Sequence, residues 1–333
     1  MLPESSFVRA AYITSFGPAE SIRHGELPAP APGPTDVLVD VHYSTVNPVD
    51  TFVRSGLFPS PPIFPLVISR DLVGVVAAVG DSSTGFAVGD WVWCNSLGYG
   101  GRQGAAAEQA VVSAERLYHL PEGVPAAEAV AVIHPGATAY LALNTHGRLR
   151  AGETVLVAGA AGNVGAALVV QAVQAGATVI ATARDCDADY CRSLGASEVL
   201  DYRQPDLAGQ LRRLSPPGVD VFVDTSGVND LATAVDALAH RGRIVLLAGA
   251  RSRPVLPAGT LYMKDGSIRG FAISHATSAE LAEAARRLNQ LMATGLLRAR
   301  AIEQAPLADA AQAHRSVEDG RLHGRRTVLR ILT

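Results

Sequence analysis

Residues 154–176 read TVLVAGAAGNVGAALVVQAVQAG. A short continuous apolar run passes through a turn of small residues into a longer stretch with apolar positions at helical spacing. Such a run is a strand buried on both faces, and a strand feeding directly into a helix is half of a βαβ unit. The alternation repeats downstream. ATVIATA (177–183), EVLDY (198–202), DVFVDTSG (220–227) and RIVLLAG (243–249) read as strands. Between them ADYCRSLGA (188–196), DLAGQLRRL (206–214) and DLATAVDALAHRG (230–242) read as helices, and SIRGFAI (267–273) is a candidate sixth strand. The rhythm predicts an α/β fold built on a doubly wound parallel sheet.

The flanks differ in character. Residues 1–127 are rich in Pro and Gly, with short alternating runs such as DVLVDVHYS (36–44), DLVGVVAAVG (71–80) and GDWVW (89–93). That composition predicts a β-rich domain with irregular turns. The α/β domain is expected over 128–265. Residues 266–333 are expected to give the sheet-edge strand and then return to the first domain, because the helix near 278–295 and the strand RRTVLRIL (325–332) have no place in the parallel sheet.

The chain has 333 residues, 48% hydrophobic and 18% charged, with a net charge of −3. This is ordinary for a globular protein of two domains and gives no electrostatic case for a nucleic-acid partner. Lys264 is the only lysine; with so much alanine, the arginine bias suggests a GC-rich genome. The cluster Arg321 to Arg326 reads as a solvated loop or a phosphate contact. Cys94, Cys186 and Cys191 form no CxxC and no disulfide framework, so a reducing cytoplasm is expected. The N-terminal stretch lacks a basic segment followed by an apolar one, and no apolar run of roughly 18 residues is evident, so neither a leader nor a membrane partner is expected.

The turn opening the first helix, Ala160-Ala161-Gly162-Asn163-Val164-Gly165, is AxGxxG, a dinucleotide fingerprint with alanine in the first glycine slot. Gly162 would let the backbone approach a pyrophosphate and Gly165 would let helix and strand pack closely. The alternative is a packing turn in some other α/β protein; the βαβ context favours the dinucleotide. NAD sites place an acid at the end of the second strand, but here that strand ends ATARD (181–185). Ala183 and Arg184 occupy the position and Asp185 follows late. A small residue followed by arginine suits a 2′-phosphate, so NADPH is expected, against the alternative of an exposed arginine at a strand end.

A second stretch, TVNPVDTFVRSGLFP (45–59), offers Asn47, Asp50, Thr51 and Arg54 but no cysteine, histidine or tyrosine. Together with DLVGVVAAVG, VGDWVW, LPEGVPAAEAVAV, GATAY, AAGNVG, RSLGA, VLDYR and the closing HR…DGRLHG, it resembles the zinc-free quinone oxidoreductases, zeta-crystallin among them, of the medium-chain dehydrogenase/reductases. The resemblance runs along nearly the whole chain. It implies a GroES-like catalytic domain, a Rossmann domain and a C-terminal return to the first. It also implies that Gly159, Ala161, Gly162, Asn163, Val164 and Gly165 meet the pyrophosphate. Arg184 and Tyr202, joined by Arg321, would lie near the adenosine phosphate, and Thr138, Ser226, Gly249 and Ala250 would border the nicotinamide half. Family members usually carry a lysine after the second strand, which DCDAD (185–189) lacks.

Zinc-dependent relatives carry Cys at the position of Asn47 and His-Glu at Arg70-Asp71, so no metal is expected: neither asparagine nor arginine is a credible ligand. Without a Lewis acid, hydride transfer to a quinone or an α,β-unsaturated carbonyl is easier than alcohol oxidation. Asn47 is the expected hydrogen-bond donor to the developing oxyanion. Phe52 and Phe58 stand where many members have tyrosines, so either no protein acid is needed or Thr51, His134, Tyr43 or Tyr99 serves as proton donor, with His134, before a Pro-Gly turn, otherwise structural. Phe52, Phe58, Phe64 and Tyr99 are expected to line a pocket for an apolar small molecule, or else to be core. Two rival readings stay open: an enoyl-thioester reductase, and a non-catalytic NADPH-binding protein. The resemblance further implies a homodimer formed through SIRGFAI, since an exposed apolar edge strand needs cover.

Overall fold

The computed structural model describes residues 7–58 and 63–332; Pro59, which ends the second stretch quoted above, lies outside them. The chain forms two compact units, one of residues up to His134 plus Leu281 onward, the other Pro135–Glu280.

The first unit opens with β1 (Phe7–Ile13), β2 (Arg23–Pro28) and β3 (Asp36–Thr45), followed by the short helix α1 (Pro48–Arg54). Strands β4 (Leu66–Val67), β5 (Asp71–Val79), β6 (Trp91–Cys94), β7 (Gln109–Ser113) and β8 (Tyr118–His119) complete its first part. Helix α1 begins where it does because Pro48 fits the first helical turn and the Asp50 carboxylate accepts the Asn47 backbone N–H at 2.7 Å.

Helix α2 (Ala126–Tyr140) follows and continues as a π-helical segment, Leu141–His146. Together they reach 21 residues at mean hydropathy 1.2, so one run is in fact apolar and long enough to cross a membrane, contrary to the sequence expectation. With 78% of its most apolar window buried, it is a core helix, kept apolar by packing.

The second unit holds β9 (Thr154–Ala158), α3 (Asn163–Gln174), β10 (Thr178–Ala183), α4 (Ala188–Ser193), β11 (Glu198–Asp201), α5 (Leu207–Leu214) and β12 (Val219–Asp224). Then come α6 (Leu231–Ala237), β13 (Leu238–Leu246), α7 (Ala258–Met263) and β14 (Ser267–Gly270). Its six strands are parallel throughout, in the order β11-β10-β9-β12-β13-β14. This is the doubly wound Rossmann order, and it reverses direction between β9 and β12. Leu156, Ile180, Phe222, Leu238 and Ile244 supply the core on one face. One segment departs from the helical reading of 230–242: α6 stops at Ala237 and the chain turns extended at Leu238. The sole lysine gives a reason. Lys264 Nζ donates to the carbonyls of Val235 (3.0 Å), Asp236 (2.7 Å) and Leu238 (2.6 Å), satisfying acceptors that a longer helix would have used itself.

The chain then returns to the first unit with α8 (Ser278–Ala293), β15 (Ile302–Pro306), α9 (Ala310–Glu318) and β16 (Arg326–Arg330). Strand β16 pairs with β15 and, antiparallel, with the end of β3, Val328 facing Thr45. Continued by two residues, that register sets Arg326 level with Asn47.

Candidate functional site

In the first unit, Asn47, at the start of α1, is 1% exposed and fully engaged. Its Nδ2 donates to Asp71 Oδ2 (2.7 Å) and Asp50 Oδ2 (3.2 Å), and its Oδ1 accepts from Arg326 Nη2 (2.9 Å). Arg70 Nε lies 3.3 Å from Asp50 Oδ1, and Asp71 Oδ1 faces His134 Nδ1 at 3.3 Å. Two carboxylates and two guanidinium groups are thus brought together, each side chain at least nine-tenths buried. Burial pushes the Asp50 carboxyl up, with Arg70 pulling it back down. Burial likewise lowers Arg326, against the opposing effect of Asp71 and Asp50.

Two of the expected catalytic side chains are engaged within the protein. The Asn47 amide spends its donors on Asp71 and Asp50 and its oxygen on Arg326. The Thr51 hydroxyl donates to the Pro48 carbonyl at 2.7 Å, so its proton is committed within α1. Of the three expected catalytic residues, His134 is the one whose ring faces a titratable partner.

The four expected pocket residues do not form a single group. Phe58 meets Tyr99 edge to face, with ring centroids 5.3 Å apart, and also packs on the core of Ala11, Ile13 and Leu66. Phe64 packs instead on Phe16 at 5.4 Å, and both rings remain partly exposed. Phe52 lies half-buried on α1.

In the second unit, the expected dinucleotide residues gather at the C-terminal ends of the parallel strands. Gly159 leaves β9 at φ 80°, a left-handed conformation suited to glycine. Gly162 is the N-cap of α3 with no side chain capping it, so its first N–H groups remain available to an anion. A Cβ at Gly165 would lie 2.2 Å from the Gly159 carbonyl oxygen and 2.7 Å from Ala160 Cα, which fixes that position as glycine. A Cβ at Gly162 would meet only the Gly159 oxygen, at 3.3 Å. Ala161, Asn163 and Val164 complete the turn, half-buried. These features fit a dinucleotide pyrophosphate.

Strand register sets Ala183 opposite Asp201, bringing Arg184 and Tyr202 to neighbouring strand ends. Arg184 Nε points toward Asp187 at 3.4 Å, and the Tyr202 ring is exposed. Asp201, the nearby acid that could imitate an NAD site, is occupied: Arg203 pairs with both its oxygens, at 3.0 and 2.6 Å, and holds its carboxyl well below the usual range. Ser226 donates its hydroxyl to Asp224 at 2.6 Å. The Gly249–Ala250 end of β13 is tied to the β12 end by Asn229, which donates to the Ala248 carbonyl at 3.1 Å. Thr138 is buried on α2. Arg321 belongs to the first unit, in the turn after α9, where it pairs with Asp319 at 3.0 Å.

Sequence reasoning missed Arg326. A signal existed: Pro135 sits inside α2 and has no N–H for the Ala131 carbonyl, which therefore needs another donor.

The chain matches the alcohol dehydrogenase GroES-like domain family over residues 33–122 and the zinc-binding dehydrogenase family over 163–290. The human quinone oxidoreductase is 30% identical over 323 residues, 96% of this chain and 97% of that one. The crystal structure of a Pseudomonas syringae quinone oxidoreductase superposes with a TM-score of 0.86 at 30% identity, covering 97% of this chain and 99% of the other. A mycobacterial protein solved with NADPH gives 0.84 at 29% identity, over 97% and 99% of the two chains. On this footing the chain belongs to the medium-chain dehydrogenase/reductase superfamily, in its quinone oxidoreductase branch.

Proposed function

We propose that the protein is a zinc-independent, NADPH-dependent reductase of quinones or α,β-unsaturated carbonyls. The observation that carries this reading is the occupation of the relatives' metal-ligand positions. Asn47 accepts from Arg326 through its only oxygen, and the neighbouring position is a guanidinium, which has no lone pair for a metal. The family membership and the glycine turn support a nicotinamide cofactor. The Ala183-Arg184 strand end, beside a carboxylate already neutralised by Arg203, supports the phosphorylated form.

The α3 N-terminus and the turn Gly159–Gly165 hold the pyrophosphate, and Arg184 with Tyr202 binds the adenosine 2′-phosphate. When bound, the dihydronicotinamide supplies hydride chemistry. The protein's own part is to supply a proton to the reduced acceptor, and we assign it to His134. Phe58 and Tyr99 offer an aromatic wall to a flat acceptor.

An absorbance assay of reduced-nicotinamide consumption, with quinone, 2-alkenal and enoyl-CoA acceptors and with and without a chelator, tests this. Chelator-insensitive turnover of quinone or alkenal with NADPH is expected. Loss of activity with chelator, or turnover of the thioester alone, would overturn it.

Two coarser proposals accompany it. The protein is a homodimer: β14 is the free edge of the parallel sheet, and α7 beside it buries none of its residues, with Tyr262 and Met263 largely exposed. Sedimentation as a monomer alone would refute this. The small number of cysteines, with no CxxC and with Cys186 exposed, suits a reducing compartment and supports placement in the cytoplasm.

A further inference from the structure

We infer that Arg102 is a specificity-determining residue, whose guanidinium takes a carboxylate carried by a flat conjugated acceptor lying against Phe58 and Tyr99. The inference rests on the reductase reading made above and narrows its substrate class to acceptors that bear an anion.

Between β6 and β7 the chain passes through Ser96-Leu97-Gly98-Tyr99-Gly100-Gly101-Arg102-Gln103-Gly104. Gly98, Gly100 and Gly101 take left-handed φ values of 65°, 63° and 82°, which lets the chain double back within a few residues. The Gly98 N–H donates to the Gln103 carbonyl at 3.0 Å, closing the loop. Gln103 then pins it to the segment before β5: its Oε1 accepts from the Val67 N–H at 2.7 Å, and its Nε2 donates to the Pro65 carbonyl at 3.0 Å. From this loop the Tyr99 ring reaches Phe58, and three residues later comes Arg102.

Arg102 is half-buried, and its Nε donates to the Ser96 carbonyl at 3.0 Å. The guanidinium folds back over the loop, with Nη1 3.4 Å from where a Gly100 side chain would begin. One edge of the fork is thereby anchored. The other edge, Nη1 with Nη2, meets no acceptor among the described residues. Charge makes that edge unusual. Burial lowers the Arg102 value, and the neighbouring Arg116 and Arg70 lower it further. Each of those neighbours has a carboxylate: Arg116 faces Glu115 at 3.6 Å, and Arg70 faces Asp50 at 3.3 Å. Arg102 has none among the described residues. A half-buried cation crowded by like charges and matched by no anion is costly, and an arriving carboxylate offsets that cost. The two parallel N–H groups of the open edge fit the two carboxylate oxygens. Tyr99 lies near enough to act on the Arg102 charge, so a carboxylate held there brings the rest of a flat molecule to the aromatic pair.

The test compares 4-carboxycinnamaldehyde with its methyl ester as acceptors for NADPH, in the wild type and in Arg102→Met. The variant is expected to lower kcat/KM for the carboxylate about tenfold, mainly through KM, and to change that for the ester less than about twofold. Comparing the two proteins cancels the intrinsic reactivity of each acceptor. Arg102→Lys, which keeps the charge but not the fork, should fall between them. In the wild type, added salt should slow the carboxylate and spare the ester, a readout that stands even if no variant folds. Equal losses on both acceptors in Arg102→Met, or a wild-type preference indifferent to salt, would overturn the inference and leave the reductase reading intact. If the wild type reduces neither compound, the reductase reading fails for this acceptor class. Calorimetry with benzoate against benzamide then decides the anion site alone. Benzoate is expected to bind the wild type about tenfold more tightly than Arg102→Met does, and equal affinities would refute the site.

Discussion

The two units hold their functional loops by opposite means. In the second unit the loop is shaped by backbone: Gly159 at a left-handed φ, Gly162 at an uncapped helix start, and Gly165 with no room for a Cβ. In the first unit the loop is held by side-chain charge, with α1, β5, α2 and β16 meeting through Asn47, Asp50, Arg70, Asp71, His134 and Arg326. A backbone-shaped site is sensitive to volume. A charge-held site is sensitive to any change that leaves one buried partner unmatched.

The largest effect should therefore come from the charged region. Arg326→Met removes one cation from a set that balances two carboxylates with two guanidinium groups, and it also orphans the Ala131 carbonyl. A loss of about 3–5 kcal/mol in unfolding free energy is expected, the usual cost of breaking a buried pair. Urea unfolding measures it. A loss below about 1 kcal/mol would mean that the cluster is wet and exchangeable, and the contrast between the units would fail.

The corresponding change in the backbone region is Gly165→Ala. A methyl group there must push the Gly159 carbonyl away from 2.2 Å, so about 1–3 kcal/mol of destabilisation is expected from overpacking. Because the same carbonyl belongs to the pyrophosphate turn, dinucleotide affinity should fall with it, read by quenching of protein fluorescence. Gly162→Ala, which meets only one atom at 3.3 Å, should cost little stability yet weaken the dinucleotide. Equal stability losses in the two variants would break the volume argument.

The contrast also accounts for what could be read in the sequence. Parallel strands, the glycine turn and the edge strand are local signals: apolar runs, small residues at fixed spacing, a strand followed by a helix. They were legible because neighbours in sequence are the neighbours that matter. The partnership of Asn47 with Arg326 spans 279 residues, and no periodicity announces it. Asn47 stood out by its residue type, but its partners could not be read, because a free amide and a saturated one look alike in sequence. The end of α6 was missed for a similar reason, since the capping Lys264 lies 26 residues beyond Leu238.

The first unit carries a further buried ionisable group that sharpens the comparison. His314 on α9 is 0% exposed, and its value is lowered to about 3, first by burial and then by the Arg54 charge. The folded value lies below the unfolded one, so the unfolded chain takes up the proton first. Stability is complete above about pH 6.5 and falls as the pH drops toward 3. Each unit in that window costs about 1.4 kcal/mol, so roughly 2 kcal/mol should be lost between pH 6.5 and 5. Urea midpoints across that range should flatten in His314→Leu. An unchanged slope would place the acid sensitivity elsewhere, and not at Asp50, whose raised carboxyl favours the folded state as the pH falls.

The smallest effect is expected at the rim of the backbone-shaped site, where the proposed preference for the phosphorylated dinucleotide would be read. Arg184 is about one-third exposed and shares its guanidinium with Asp187 at 3.4 Å, so solvent and a neighbouring acid both weaken its hold on a phosphate. Arg184→Ala should raise the NADPH dissociation constant by about tenfold, near 1.4 kcal/mol, and leave NADH binding within about twofold. The difference should shrink as salt is raised, since both partners face water. Arg203→Ala tests the other half of the arrangement. Freed of its partner, Asp201 becomes available to a ribose hydroxyl, and NADH should gain affinity relative to NADPH. If Arg184→Ala weakens both dinucleotides equally, the arginine supports the turn and does not read the 2′ position. Discrimination would then rest with Tyr202 on the neighbouring strand end.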